Sequence, residues 1–238
     1  MHQFEIKRLF TVELFNFDIS FTNSSLALAI VTLVALGLGI NMKFFMKKAF
    51  YPNLFASFAI ALHGFVLKIV QDNIVSKQNM RFFSFIFSIF IFILFSNLLG
   101  LMPYGFTATS HIAVNFVLAM IVFLVTLSLS IFKHGIFIHR AFIPHGTPWW
   151  LVPLILVLEI FSYFARPVSL AVRLAANMMA GHVMLDVMAV FVIGLKWLGI
   201  FPLFTLAVLL GFEFFVAFLQ SYIFAVFACV YINQAIHH

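Results

Sequence analysis

The 238 residues are 65% hydrophobic and only 8% charged, with a mean hydropathy of +1.18, whereas soluble domains carry about 25% charged residues. That balance excludes a soluble enzyme. At about 20 apolar residues per crossing of a bilayer, the chain accommodates five or six hydrophobic helices and no separate soluble domain. The formal net charge of +6 comes from cations at the ends of apolar runs, so it reports membrane topology and not nucleic-acid binding.

The opening segment MHQFEIKRLFTVELFNF carries acids and is not rich in arginine and serine, so it reads as neither a transit peptide nor a signal peptide. A first, upright span is expected over about residues 24–42. It is followed by Lys43, Lys47 and Lys48, which put that end on the cytoplasmic or matrix side. Residues 50–78 interrupt their apolar stretches with His63, Lys68, Gln71 and Asp72, which predicts an amphipathic helix along the inner surface. Residues 82–101 and 112–132 then form a transmembrane hairpin with an uncharged outer turn. The segment KHGIFIHRAFIPHGTPWWLVP, with Lys133, Arg140 and three prolines, is an inner loop whose Trp149 and Trp150 suit the membrane interface.

Residues 154–195 and 203–236 are helix-compatible throughout, broken only by Pro167 and by KWLGIFP between them. At 1.5 Å per residue the first would be about 60 Å long, about twice the hydrocarbon thickness. Two long, strongly tilted helices are therefore expected; two short spans with a hidden turn are the alternative. The fold class is an all-α polytopic membrane protein forming a single membrane domain over residues 1–238. Cys229 stands alone in an apolar run as a small core residue and excludes both a disulfide framework and a cysteine-based metal site. The excess of phenylalanine, 35 residues, points to an AT-rich organellar or bacterial gene.

Polar residues inside the long segments carry the functional signal: Glu159, Arg166, Arg173, Asn177, His182, Asp186, Glu213 and Gln220. Ionisable groups at bilayer depth cost about 2.5–3.5 kcal/mol each on insertion scales and mark functional sites. Glu159, Arg166 and Arg173 are spaced seven apart and Asn177 follows by four, so they share one helical stripe. Ser169, Ala176 and Ala180 lie on that stripe and allow another helix to approach closely. Arg173, with no carboxylate three or four residues away, is expected to face a protein partner. His182 and Asp186 fall on the opposite side, and Glu213 shares a stripe with Gln220. Arg166 alternatively reaches the inner headgroups, Asp186 either holds His182 or lies near the outer surface, and His182 with Glu213 alternatively forms a structural buried pair. An arginine keeps its charge, so it relays no protons. It separates Glu159, about 21 Å toward the inner end, from His182 and Glu213 toward the outer end, an arrangement that resembles two half-channels kept from short-circuiting.

The stretches SLAVRLAANMMAGH (169–182) and EFFVAFLQSYIFAVFACVYI (213–232) resemble the a subunit of the F-type ATP synthase. FSNLLGLMPYGFTATSHIAVNF (95–116) and the opening HQFEI are similar to its mitochondrial and alphaproteobacterial members. The resemblance implies that Arg173 is the stator arginine facing the carboxylates of a rotating c-ring. It implies that Asn177, His182, Glu213 and Gln220 line the outer half-channel, and that Glu159 lies on the exit path; Asp186 is added to the outer group. Many bacterial members have the acid on the first long helix and the histidine on the last; here they are exchanged, as in the mitochondrial form. The implied role is a proton-conducting stator that drives rotation for ATP synthesis, not an enzyme on its own, with a sodium-binding version left open. The implied partners are the c-ring proteolipid oligomer, a peripheral-stalk b-type subunit, other ATP synthase subunits and membrane lipids, with no nucleic acid, cofactor or metal. The expected location is the mitochondrial inner membrane or, alternatively, a bacterial plasma membrane. A secondary transporter is the competing function, but no repeat relates the two halves. A bis-histidine haem protein would need facing histidines, and His182 is the only one well inside an expected span.

Overall fold

A chain this apolar finds no water for its backbone groups inside a bilayer, so it satisfies them within helices. The computed structural model of the protein describes residues 8–10, 13–14, 17–18, 21–47, 54–74, 79–102, 109, 111–134, 151–195 and 199–237. These include six helices: α1 (Asn23–Lys47), α2 (Leu54–Asn73), α3 (Asn79–Leu101), α4 (Ile112–His134), α5 (Val152–Gly194) and α6 (Ile200–His237). Four stretches among the described residues are long and apolar enough to cross a membrane: Met80–Leu101, Ile112–Lys133, Pro167–Gly194 and Ile200–Ile236. The protein is an all-α polytopic membrane protein. The loop expected between α4 and α5, with Arg140, Trp149 and Trp150, lies outside the described residues.

Before α1 the chain makes two short antiparallel pairings that the composition did not announce. Arg8–Phe10 pairs with Phe21–Thr22, and inside them Glu13–Leu14 pairs with Phe17–Asp18 in the register Glu13↔Asp18, Leu14↔Phe17. Phenylalanine and threonine at these positions favour extended backbone.

The helices pack around two continuous clusters. In one, Val66, Ile69, Val70 and Ile74 of α2 meet Ile86, Phe90 and Leu94 of α3 and Cys229 and Ile232 of α6. In the other, Ile89 and Ile93 of α3 and Leu118 and Val122 of α4 surround Leu170 and Leu174 of α5 and Phe224 and Ala228 of α6. The buried residues of α2, Ala59, Leu62, Val66, Ile69 and Val70, recur at helical spacing, while Lys68, Gln71 and Asp72 are exposed. This amphipathic helix thus packs its apolar stripe against α3 and α6 of its own chain.

α5 is unbroken over 43 residues, about 65 Å. Proline stands in its first turn, where the missing N–H has no partner to lose. Pro167 is accommodated inside the helix without ending it. α6 adds 38 residues and returns antiparallel, so Gly181 of α5 meets Glu213 of α6. At the far end Lys133 Nζ donates to the carbonyl of Ile236. This contact brings the ends of α4 and α6 together and gives the last carbonyls of α6 a cation, where the helix dipole is negative.

Candidate functional site

Small residues on α5 let α6 carry a carboxylate into the interface. A Cβ built on Gly181 would overlap Glu213 Oε1 and lie 2.8 Å from Glu213 Cδ, so a side chain there would displace the end of Glu213 from its present place. Glu213 is 5% exposed, and neither carboxylate oxygen has a hydrogen-bond partner among the described residues. Such a group is complete only with a donor or a proton. His182, the neighbour of Gly181, is also buried, at 6% exposure. Asp186 lies one turn further along α5, is exposed, and acts electrostatically on the His182 ring. Gln220 and Ser221 continue the buried polar face of α6. Ser221 Oγ donates to the Ala217 carbonyl at 3.0 Å.

Arg173 occupies a different environment. Nine residues before His182, it points to the opposite side of α5 and is exposed. It lines an open groove of about 230 Å³ with Ser162, Ala165, Ser169, Phe227 and Tyr231. Ser169, Ala176 and Ala180 of the same stripe are exposed as well, whereas Asn177 is half-buried beside the fully buried Met178. The small-residue face of α5 around this permanent positive charge is therefore exposed, with Phe227 and Tyr231 of α6 along one edge of the groove.

Glu159 and Arg166 lie on the backbone of α5, outside the side chains described. His182, Glu213 and Gln220 are thus each buried, with Glu213 seated against Gly181 next to His182 in sequence, whereas Arg173 is exposed. No group of three or more histidine, cysteine, aspartate or glutamate side chains that could hold a metal occurs among the described residues.

Two contributors are not among the polar residues of the two long C-terminal segments. Gly181 is recognisable only by its distance to Glu213. Asn97, fully buried on α3, donates its amide to the Ala217 carbonyl at 3.2 Å. The signal for it is the same as for Asn177 and Gln220, a polar amide inside an apolar span that needs a partner, carried over to α3.

The model of the family described as ATP synthase A chain matches residues 25–233 of this sequence, which include all of these residues.

Proposed function

On the premise that the chain belongs to the ATP synthase A chain family, we propose that it is the stator half of a rotary proton path, with two offset half-channels meeting at Arg173. Membership makes it a multi-pass membrane subunit of the ATP synthase with a proton-translocating role, working with the other subunits, including the c-ring. In the finer reading, Asn177, His182, Glu213, Gln220 and Asp186 pass protons from the outer side to a ring carboxylate, and Glu159 receives them toward the inner side. The long α5 and α6 tilt steeply across the bilayer, because about 65 Å of helix exceeds about 30 Å of hydrocarbon. The exchanged His182 and Glu213 and the resemblance of residues 95–116 support a mitochondrial inner membrane over a bacterial plasma membrane, and the family resemblance supports a b-type peripheral-stalk subunit as neighbour.

The observation that carries this reading is the opposition on α5: Arg173 exposed on one side, His182 buried on the other. A ring carboxylate that has lost its proton in hydrocarbon needs a positive partner. Arg173 supplies that charge through a planar fork suited to a carboxylate. The same charge repels a proton that would cross directly from the Glu213 side to the Glu159 side.

The test is proton flux in vesicles under an imposed potential, with the catalytic head removed, alongside ATP synthesis by the intact complex. Arg173→Ala is expected to abolish coupled synthesis and to open a passive leak that requires the ring carboxylates. Arg173→Lys keeps the charge without the fork, and is expected to fail in synthesis while leaking less. Normal coupled synthesis by Arg173→Ala refutes the reading.

A further inference from the structure

The segment FSNLLGLMPYGFTATSHIAVNF holds buried polar residues for which the two half-channels provide no role. Ser96 and Asn97 lie near the end of α3, and Thr109 and Asn115 flank the start of α4; all four are buried. Asn115 settles its amide locally, donating Nδ2 to the Thr109 carbonyl at 2.6 Å. Asn97 instead reaches another helix: its Nδ2 donates to the carbonyl of Ala217, a separation of 120 residues in sequence.

The Ala217 carbonyl already accepts the helical N–H of residue 221, and Ser221 Oγ donates to it too. Donors from α3 and α6 therefore converge on one peptide of α6. Glu213 precedes Ala217 by four residues, about 6 Å up the same face. Whatever holds that peptide sets the height and rotation at which the Glu213 carboxyl meets α5. There Glu213 fills the space a side chain at Gly181 would need. A slip of one residue would turn the carboxyl by about 100° away from α5. α3 is a firm reference for such a pin, since its neighbouring residues Phe90, Ile91 and Ile93 are fully buried. Ser96 Oγ and Asn97 Oδ1 have no hydrogen-bond partner among the described residues, and neither do the Glu213 oxygens.

We infer that Asn97 is a positioning residue for Glu213: its amide pins the Ala217 carbonyl and so fixes the rotation of α6 that seats the Glu213 carboxyl against Gly181. The inference rests on the assignment of Glu213 to the outer half-channel. It gives the SerAsn pair of α3 a function in proton transfer without contact with the rotor.

The experiment uses the whole ATP synthase in inverted vesicles, with ATP-driven pumping measured across a pH series and assembled complex quantified in parallel. The variants are Asn97→Leu, Asn97→Gln and Glu213→Gln. Losing one neutral hydrogen bond that orders the reacting group is expected to slow pumping about five- to tenfold in Asn97→Leu. The pH midpoint of its rate is expected to shift, because the surroundings of Glu213 change. Asn97→Gln retains the donor and is expected to recover most of the rate and the parental midpoint. If Asn97→Leu fails to assemble, Asn97→Ser, polar but too short to reach Ala217, carries the same expectation. A parental rate and midpoint in Asn97→Leu, or in Asn97→Ser, overturns the inference. Glu213→Gln separates the two readings. Lost pumping there with normal Asn97 variants keeps the half-channel and removes the pin, whereas normal pumping by Glu213→Gln removes the half-channel itself and the pin with it.

Discussion

α3 and α5 both carry stretches able to cross a membrane, yet they are used in opposite ways. Half of the apolar stretch of α3 is buried inside the chain, against 11% for α5. α5 is the less apolar of the two, and it carries the exposed Arg173 and Asp186. Were lipid its only neighbour, the helix with more exposure would be expected to hold fewer charges. The inversion teaches that burial within this chain and apolarity serve different ends: α3 is the packed element, and α5 is the exposed one that carries the charges, which fits the proposed docking face.

The largest effect is expected at Gly181, where α5 receives Glu213 of α6. Gly181→Leu would push the Glu213 carboxyl from its seat. A displacement of about 1 Å near a reacting group can cost about 100-fold in rate, so pumping by the assembled complex is expected to fall to about one per cent of the parent. Gly194→Leu, where an added Cβ meets nothing within 4 Å, is expected to pump normally. Equal rates in the two variants would show that the α5–α6 contact has no part in transport.

A smaller loss is expected on the exposed face of α5. Ala176→Leu adds bulk beside Arg173 where a partner helix would approach, and it is expected to reduce pumping about tenfold and weaken retention of the ring in detergent, the equivalent of ~1.4 kcal/mol. Ile193→Leu, exposed and about 160° around the helix from Arg173, serves as the control. If both variants retain the ring equally well, the small-residue stripe is not a docking face.

The same contrast predicts stability. Phe90 is fully buried and Phe161 is 74% exposed. Phe90→Ala is expected to cost about 3–5 kcal/mol, seen as a lower unfolding temperature of the purified chain, and Phe161→Ala within about 0.5 kcal/mol. Comparable shifts would mean that α3 is not the core element described here.

The smallest effect concerns pH. His63 of α2 packs on Phe83 and Phe87, with ring centroids 4.7 and 5.9 Å away, and burial holds its imidazole below the ordinary value of 6.5. The folded chain therefore binds fewer protons than the unfolded one just below that pH, and stability rises with pH there. The α2–α3 contact is expected to be complete above pH 6.5 and to weaken as the pH falls below it. His63→Phe should flatten that part of the stability profile; an unchanged profile would assign it to another group.

Composition and hydropathy sufficed for the class of protein and the number of long helices, because a bilayer forces backbone hydrogen bonds into helices and makes length readable in apolar residues. Helical spacing likewise sufficed to put Arg173 and His182 on opposite sides of α5, since that depends only on the 100° step of the backbone. The tertiary structure alone decided the rest. The short pairings before α1 depend on contacts with no long-range signature. That α2 spends its apolar stripe on α3 and α6 is a choice among faces that amphipathicity leaves open. The seating of Glu213 against Gly181 and the hydrogen bond from Asn97 to Ala217 join residues 32 and 120 positions apart. Such contacts arise from the rotation and register of packed helices, which no periodicity within a single helix encodes.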